Sequence, residues 1–144
     1  MIVIDVNLLI YAYDSATPEH AKARMWLEDV LSGSDLIGLP WLAVWAFLRV
    51  LTYPGQAGER LNMQTAVEIV QQWLEMPNVR LLNPGDRHWA ILRDVLESGG
   101  VRGKLTSDAA LAALTMEYGG VLHTNDRDFA RFPGLRWVNP LAAS

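Results

Sequence analysis

Five short apolar runs, at residues 1–5, 36–39, 79–82, 121–124 and 136–138, alternate with longer segments of helical period. That alternation leaves few folds open. Runs of this length, rich in Val, Ile and Leu, read as strands buried on both faces. The segments between them place apolar residues three and four apart: Ala23, Trp26, Leu27, Val30 and Leu31, then Ala66, Val70, Trp73 and Leu74, then Trp89, Leu92, Val95 and Leu96. Strand and helix in strict alternation predict a parallel sheet covered on both sides. The expected class is therefore α/β, a three-layer α/β/α domain with a central five-stranded parallel sheet. At 144 residues the chain is long enough for a substantial core, and no linker or repeat divides it, so one domain over 1–144 is expected.

Local signals set the element ends. Thr17-Pro18-Glu19 reads as a helix start with Thr17 as cap, which makes His20 an exposed first-turn residue. Pro40 opens a helix over 41–51 that is apolar nearly all round, and such a helix is expected to be buried on several sides. Arg49 is its one charge, free to pair with an acid near a site or to point outwards. Residues 53–58 read as a loop. Trp73 and Trp89 are assigned to the core. The helix over 106–118 uses Ala109, Ala110, Ala112 and Ala113, small enough to let it approach a sheet closely, and Gly119-Gly120 stops it. Residues 98–104 are glycine-rich but lack the Walker spacing, so they are no nucleotide cradle; Arg102 and Lys104 there are candidate phosphate contacts.

Composition removes several functional classes. There is no cysteine, hence no disulfide, thiolate metal site or cysteine nucleophile. The formal charge is −4, from 12 basic and 16 acidic residues, which argues against nucleic-acid binding by a basic surface alone. No apolar run approaches the length of a membrane span. Ile2-Val3-Ile4-Asp5 carries no basic leader, so a cytoplasmic protein without a signal peptide is expected.

The remaining signal lies in the acids. Asp5 ends the first apolar run, and Asp126 and Asp128 follow the fourth. Asp108 falls in the first turn of the helix over 106–118. Each has an ordinary reading alone: a helix cap for Asp5 and Asp108, a solvated turn for the pair. Together they come from three separated segments, all at the expected carboxyl edge of the sheet, where ligands bind in such folds. Two carboxylates at about 4 Å repel by roughly 4 kcal/mol at an effective dielectric near 20. A folded cluster must therefore take up protons or a cation. Aspartates without Cys or paired His make a hard oxygen site suited to Mg²⁺ or Mn²⁺. Phosphodiester hydrolysis is one chemistry that needs such a site.

At these residues the chain resembles the PIN-domain ribonucleases, and within them the VapC toxins of toxin–antitoxin modules. The resemblance rests on Val3-Ile4-Asp5-Val6-Asn7, on Ser107-Asp108-Ala109-Ala110-Leu111-Ala112-Ala113-Leu114, on 124–135 (Thr124-Asn125-Asp126-Arg127-Asp128-Phe129 onward), and on Asn139-Pro140-Leu141. It implies a metal-dependent endoribonuclease cutting RNA such as tRNA or rRNA, with a VapB-type antitoxin as partner and often a homodimer as assembly. It makes Asp5, Asp108 and Asp126 metal ligands, Asp128 a ligand or a water-mediated acid, and Asn7 and Thr124 polar supports. The chain departs from the family at one point. A family glutamate is expected in the helix after the second strand, and its place falls to Ala46. No acid occurs between Asp35 and Glu59. The site would then lean on Asp126 and Asp128, or recruit Glu59.

Two other classes compete. A PIN scaffold that binds antitoxin or RNA without cutting is consistent with the missing glutamate. A phosphoryl-transfer protein, such as a receiver domain or a haloacid-dehalogenase phosphatase, fits Asp5 after a first strand. The phosphatase motif, however, needs a second aspartate where this chain has Asn7.

Overall fold

The computed structural model describes residues 1–55 and 60–142. Its strands are β1 (Ile2–Ile4), β2 (Ile37–Pro40), β3 (Val79–Leu82), β4 (Val121–His123) and β5 (Trp137–Val138). They form one sheet in the order β3-β2-β1-β4-β5, and every neighbouring pair is parallel. The helices are α1 (Val6–Tyr13), α2 (His20–Leu31), α3 (Trp41–Thr52), α4 (Met63–Glu75), α5 (His88–Ser98) and α6 (Leu105–Glu117), with a 3₁₀ turn at Arg127–Arg131. The expected α/β/α class and all five strands are present.

The chain winds outward from β1 through β2 to β3, then returns to the other side of β1 for β4 and β5. The direction of winding therefore reverses between β1 and β4. At such a switch point the connections leave a crevice at the carboxyl ends of the strands. Register places Ile4 beside His123, so Asp5 and Thr124 emerge side by side into it.

Two cores separate cleanly across the sheet. Ile4, Ile37 and Leu39 face a cluster with Leu8, Leu27, Phe47 and Trp73, supplied by α1 to α4. Val3, Leu82 and Leu122 face a second cluster with Val95, Ala109, Ala112, Ala113, Phe129 and Phe132. Successive strand residues point to opposite faces, which is why Val3 and Ile4 fall in different clusters. Ala109, Ala112 and Ala113 of α6 are fully buried, as their size predicts, while Ala110 is half-buried. Gly119 ends the chain's turn out of α6 at φ +65°, a left-handed conformation that favours glycine.

The helix-cap reading of Asp5 is borne out: it is the N-cap of α1. Other local expectations are corrected. Thr17 does not cap α2. It lies in a turn where its hydroxyl donates to the Asp14 carbonyl at 2.8 Å, and the helix starts three residues later at His20. His20 is half-buried, its Nδ1 placed 2.8 Å from the Tyr11 carbonyl. The helix start at Pro40 holds: Pro40 ends β2 and is the N-cap of α3. Trp73 is buried as expected, but Trp89 is 65% exposed: its stripe on α5 meets the core through Val95 instead. The expected loop at 53–58 lies partly outside the described residues, and Glu59 wholly so. Among the described residues no helix is long and apolar enough to cross a membrane.

Gly38 shows how tightly the sheet meets its cover. A Cβ there would stand 2.6 Å from Leu82 Cδ1 and 2.9 Å from Met1 Sδ. Gly38→Val should cost about 1–3 kcal/mol through overpacking, read as a lower urea midpoint with an unchanged m-value.

Candidate active site

Asp5 follows three residues of β1 and serves as N-cap of α1. Its Oδ1 accepts the Val6 N–H at 2.7 Å. Its Oδ2 accepts the Thr124 hydroxyl at 2.7 Å. Thr124 is fully buried, and its single oxygen ties the β1–α1 junction to the turn after β4. It donates to Asp5, accepts Asn7 Nδ2 at 3.3 Å, and accepts the Asp126 N–H at 3.0 Å. One donor and two acceptor positions exhaust what a hydroxyl offers. The tie continues outward: the Asn125 N–H donates to Asn7 Oδ1 at 3.4 Å, and Asn139 Nδ2 donates to Asn125 Oδ1 at 2.8 Å. The supporting parts expected of Asn7 and Thr124 have a direct geometric counterpart here.

A cleft of about 350 Å³ opens in front of Asp5. It is lined by Asp5 and Val6, by Leu42, Ala43, Trp45, Ala46 and Arg49 of α3, and by Ser107, Asp108 and Leu111 of α6. Asp108 therefore joins Asp5 in one cavity. It does no capping: the N-cap position of α6 is Lys104, and no side chain caps that helix. Asp126 Oδ1 accepts the Asp128 N–H at 2.8 Å, so the turn reading of this pair holds for one oxygen and leaves the other free. Asp126 is half-buried and Asp128 exposed, and neither lines the cleft. His123 stands apart, stacked on Trp26 with ring centroids 5.7 Å apart. Burial lowers its pKa, against the charge of Asp35.

Electrostatics shows that the acids share one region. Burial pushes the Asp5 carboxyl up to about 6; the hydrogen bonds from Thr124 and Val6 oppose this, and the charges of Asp108 and Asp126 add to it. Asp108 is raised too, by burial first and then by Asp126 and Asp128, against Arg131 and Lys104. Among the described residues no ion pair reaches Asp5. An acid this desolvated, with like charges nearby and no cationic side chain against it, has the character of a cation ligand.

The donor set consists of carboxylate oxygens. Among the described residues no group of three or more His, Cys, Asp or Glu side chains is arranged to hold one ion alone. Carboxylate oxygens are hard donors of the kind Mg²⁺ takes, one or two at a time with several waters. Asp5 and Asp108 are the residues placed to hold such an ion in the cleft, with Asp126 beside them. Ala46, where the resemblance led to the expectation of a glutamate, lies on the α3 wall of the same cleft.

The expectation that α3 is buried on several sides holds for Ala43, Val44, Phe47 and Leu51, while Leu42, Trp45 and Arg49 are exposed. Their spacing of three and four was visible in the sequence, but the apolar residues between them hid the stripe.

The PIN domain family matches residues 2–135 of the chain. Ribonuclease VapC33 of Mycobacterium tuberculosis is 40% identical over 141 residues, covering 98% of this chain and 99% of that protein. Ribonuclease VapC37 of the same species is 37% identical over 142 residues, covering 99% of each. Among solved structures, VapBC2 from Rickettsia felis bound to a DNA fragment from their promoter matches with a TM-score of 0.70 at 16% identity, covering 96% of this chain and 98% of that one.

The raised pKa of Asp5 has a consequence for stability without metal. A carboxyl at about 6 when folded and near 3.9 unfolded binds more protons in the folded state between those values. Its contribution is favourable below the lower value, is lost as pH rises towards 6, and is constant above. Asp5→Asn removes that charge. In EDTA at pH 7.5 it should raise stability by about 1–3 kcal/mol, and the gain should vanish near pH 4. Thermal melts across pH check this; an equal or lower midpoint at pH 7.5 contradicts it.

Proposed function

The chain belongs to the PIN-domain family and, within it, to the VapC ribonucleases, and from that premise we propose that it is the toxin of a type II toxin–antitoxin pair. It is an endoribonuclease that hydrolyses phosphodiester bonds in RNA, with tRNA or rRNA as the expected target, and a VapB-type antitoxin neutralises it. The observation that carries this reading is the meeting of Asp5 and Asp108 in one cleft at the switch point of the sheet, with Asp126 acting on both. The relatives' names support the activity, and the complex of the Rickettsia protein supports the partner. A homodimer is part of the proposal.

Each residue has a task. Asp5 and Asp108 present carboxylate oxygens to the cleft. Thr124 fixes the rotamer of Asp5 by holding Oδ2, and Asn7 and the Asp126 N–H keep that hydroxyl aimed. Asp126 brings a further acid to the edge of the site. Asp128 stands outside it and acts through its charge on Asp108. Mg²⁺ or Mn²⁺, when bound, supplies charge stabilisation at phosphate and a water activated for attack. With Ala46 where an acid is expected, this chain offers fewer carboxylates for the ion. That observation favours a second reading, a catalytically weak scaffold that binds antitoxin or RNA. The two part on cleavage.

Purified toxin freed of antitoxin should cut RNA with Mg²⁺ or Mn²⁺ and stop in EDTA. Asp5→Asn and Asp126→Asn should each lower the rate on the order of 100-fold or more while remaining folded. Full activity in either variant means the acids are misassigned. Ala46→Glu should reach half-maximal cleavage at a lower metal concentration than wild type. Binding of RNA without cleavage in any divalent metal selects the scaffold reading.

A further inference from the structure

The α3 wall of the cleft carries side chains that the acids do not explain. Leu42, Trp45 and Arg49 lie along one face of the helix, and all three line the cavity that holds Asp5 and Asp108. Trp45 is 60% exposed. Arg49 is exposed and has no ion-pair partner among the described residues. The indole also lines a second, adjoining hollow of about 220 Å³, with Trp41, Asn83, Pro84 and His88. Trp41 supports it from the preceding turn, with ring centroids 6.1 Å apart. An indole left in water beside an unpaired guanidinium is a recognition surface more often than a packing accident.

Its place in the cleft selects the ligand. Any phosphodiester brought to Asp5 and Asp108 carries its neighbouring nucleoside onto this wall. The protein is acidic overall, so attraction for phosphate must come from cations close to the site. Unpaired bases bind by stacking on aromatic rings, with arginine on the backbone, whereas a duplex hides its base faces. We propose that Trp45 and Arg49 form a nucleotide-holding wall: Trp45 stacks on a base adjoining the scissile phosphate, and Arg49 binds that nucleotide's phosphate. This rests on the nuclease reading and adds the residues that hold the substrate beside the acids.

The test uses the full chain with Asp126→Asn to silence cleavage, in Mg²⁺ buffer. Three labelled probes are titrated: a short mixed-sequence single-stranded RNA, the same ribose–phosphate backbone without bases, and a blunt RNA duplex. Trp45→Ala should weaken the single-stranded RNA about 5- to 100-fold and leave the base-free probe unchanged, while Trp45→Phe keeps most of the affinity. Arg49→Ala should weaken both single-stranded probes and reduce the salt slope by about one phosphate. Circular dichroism and light scattering are recorded for each variant. Equal loss on all probes with Trp45→Ala, or no loss on any, overturns the stacking assignment. So does a change in oligomeric state, which would make Trp45 an interface between copies. Loss of binding to a partner protein with RNA binding intact overturns it as well. Cleavage by wild type with unchanged binding by Trp45→Ala sinks the wall and leaves the nuclease reading intact. Binding as expected without wild-type cleavage does the reverse. A wild type that neither binds nor cuts RNA ends both.

Discussion

The Thr124 hydroxyl, donated to Asp5 across the β1–β4 boundary, is the contact on which the site depends. It joins the two strands at which the sheet reverses its winding, and it does so from a fully buried position. Because its remaining positions accept Asn7 and the Asp126 N–H, the same oxygen sets the segment of Asp5 and Asn7 against that of Asp126. An acid at the end of a central strand would otherwise be free to turn towards solvent. Held here, it bears the cost of burial, visible in a carboxyl shifted to about 6. A compact fold tolerates such a cost where function requires the charge in place.

The rest of the molecule can be understood as support for that placement. The two cores grip the sheet from opposite faces, so β1 and β4 cannot shift in register without moving every residue to the wrong side. The alanines of α6 let that helix come close enough to bring Asp108 to the cleft. On the other wall, α3 buries Ala43, Val44, Phe47 and Leu51 and turns its remaining stripe to the cavity. Two acids, one indole and one guanidinium thus share a cleft whose other lining is mostly apolar.

Much of this was legible in residue order. Alternating runs and helical spacing gave the class and the five strands. Asp5, Asp108 and Asp126 were identifiable because each stands at a strand end or a helix start, positions the topology brings to one edge. Elements failed where local and tertiary signals pulled apart. The short α1 shares its apolar composition with a strand. Thr17 has the chemistry of a cap, yet its hydroxyl finds the Asp14 carbonyl instead. Trp89 keeps helical spacing with core residues but sits at the edge of the buried arc, and spacing alone does not resolve one position at that boundary.

By itself the sequence determined the sheet, the acids and the lack of a glutamate at Ala46, because periodicity and residue chemistry are local properties written in order along the chain. The tertiary structure decided which acids meet. Asp5 and Asp108 share a cavity that neither Asp126 nor Asp128 lines, and of that pair Asp126 is half-buried and acts on both while Asp128 is exposed and acts on Asp108, although the two look equivalent in sequence. It also decided that Trp45 and Arg49 face the acids and not the core. Both outcomes depend on how far a helix is rotated about its axis and how closely it meets the sheet. Packing across long sequence separations sets those quantities, and no local pattern encodes them.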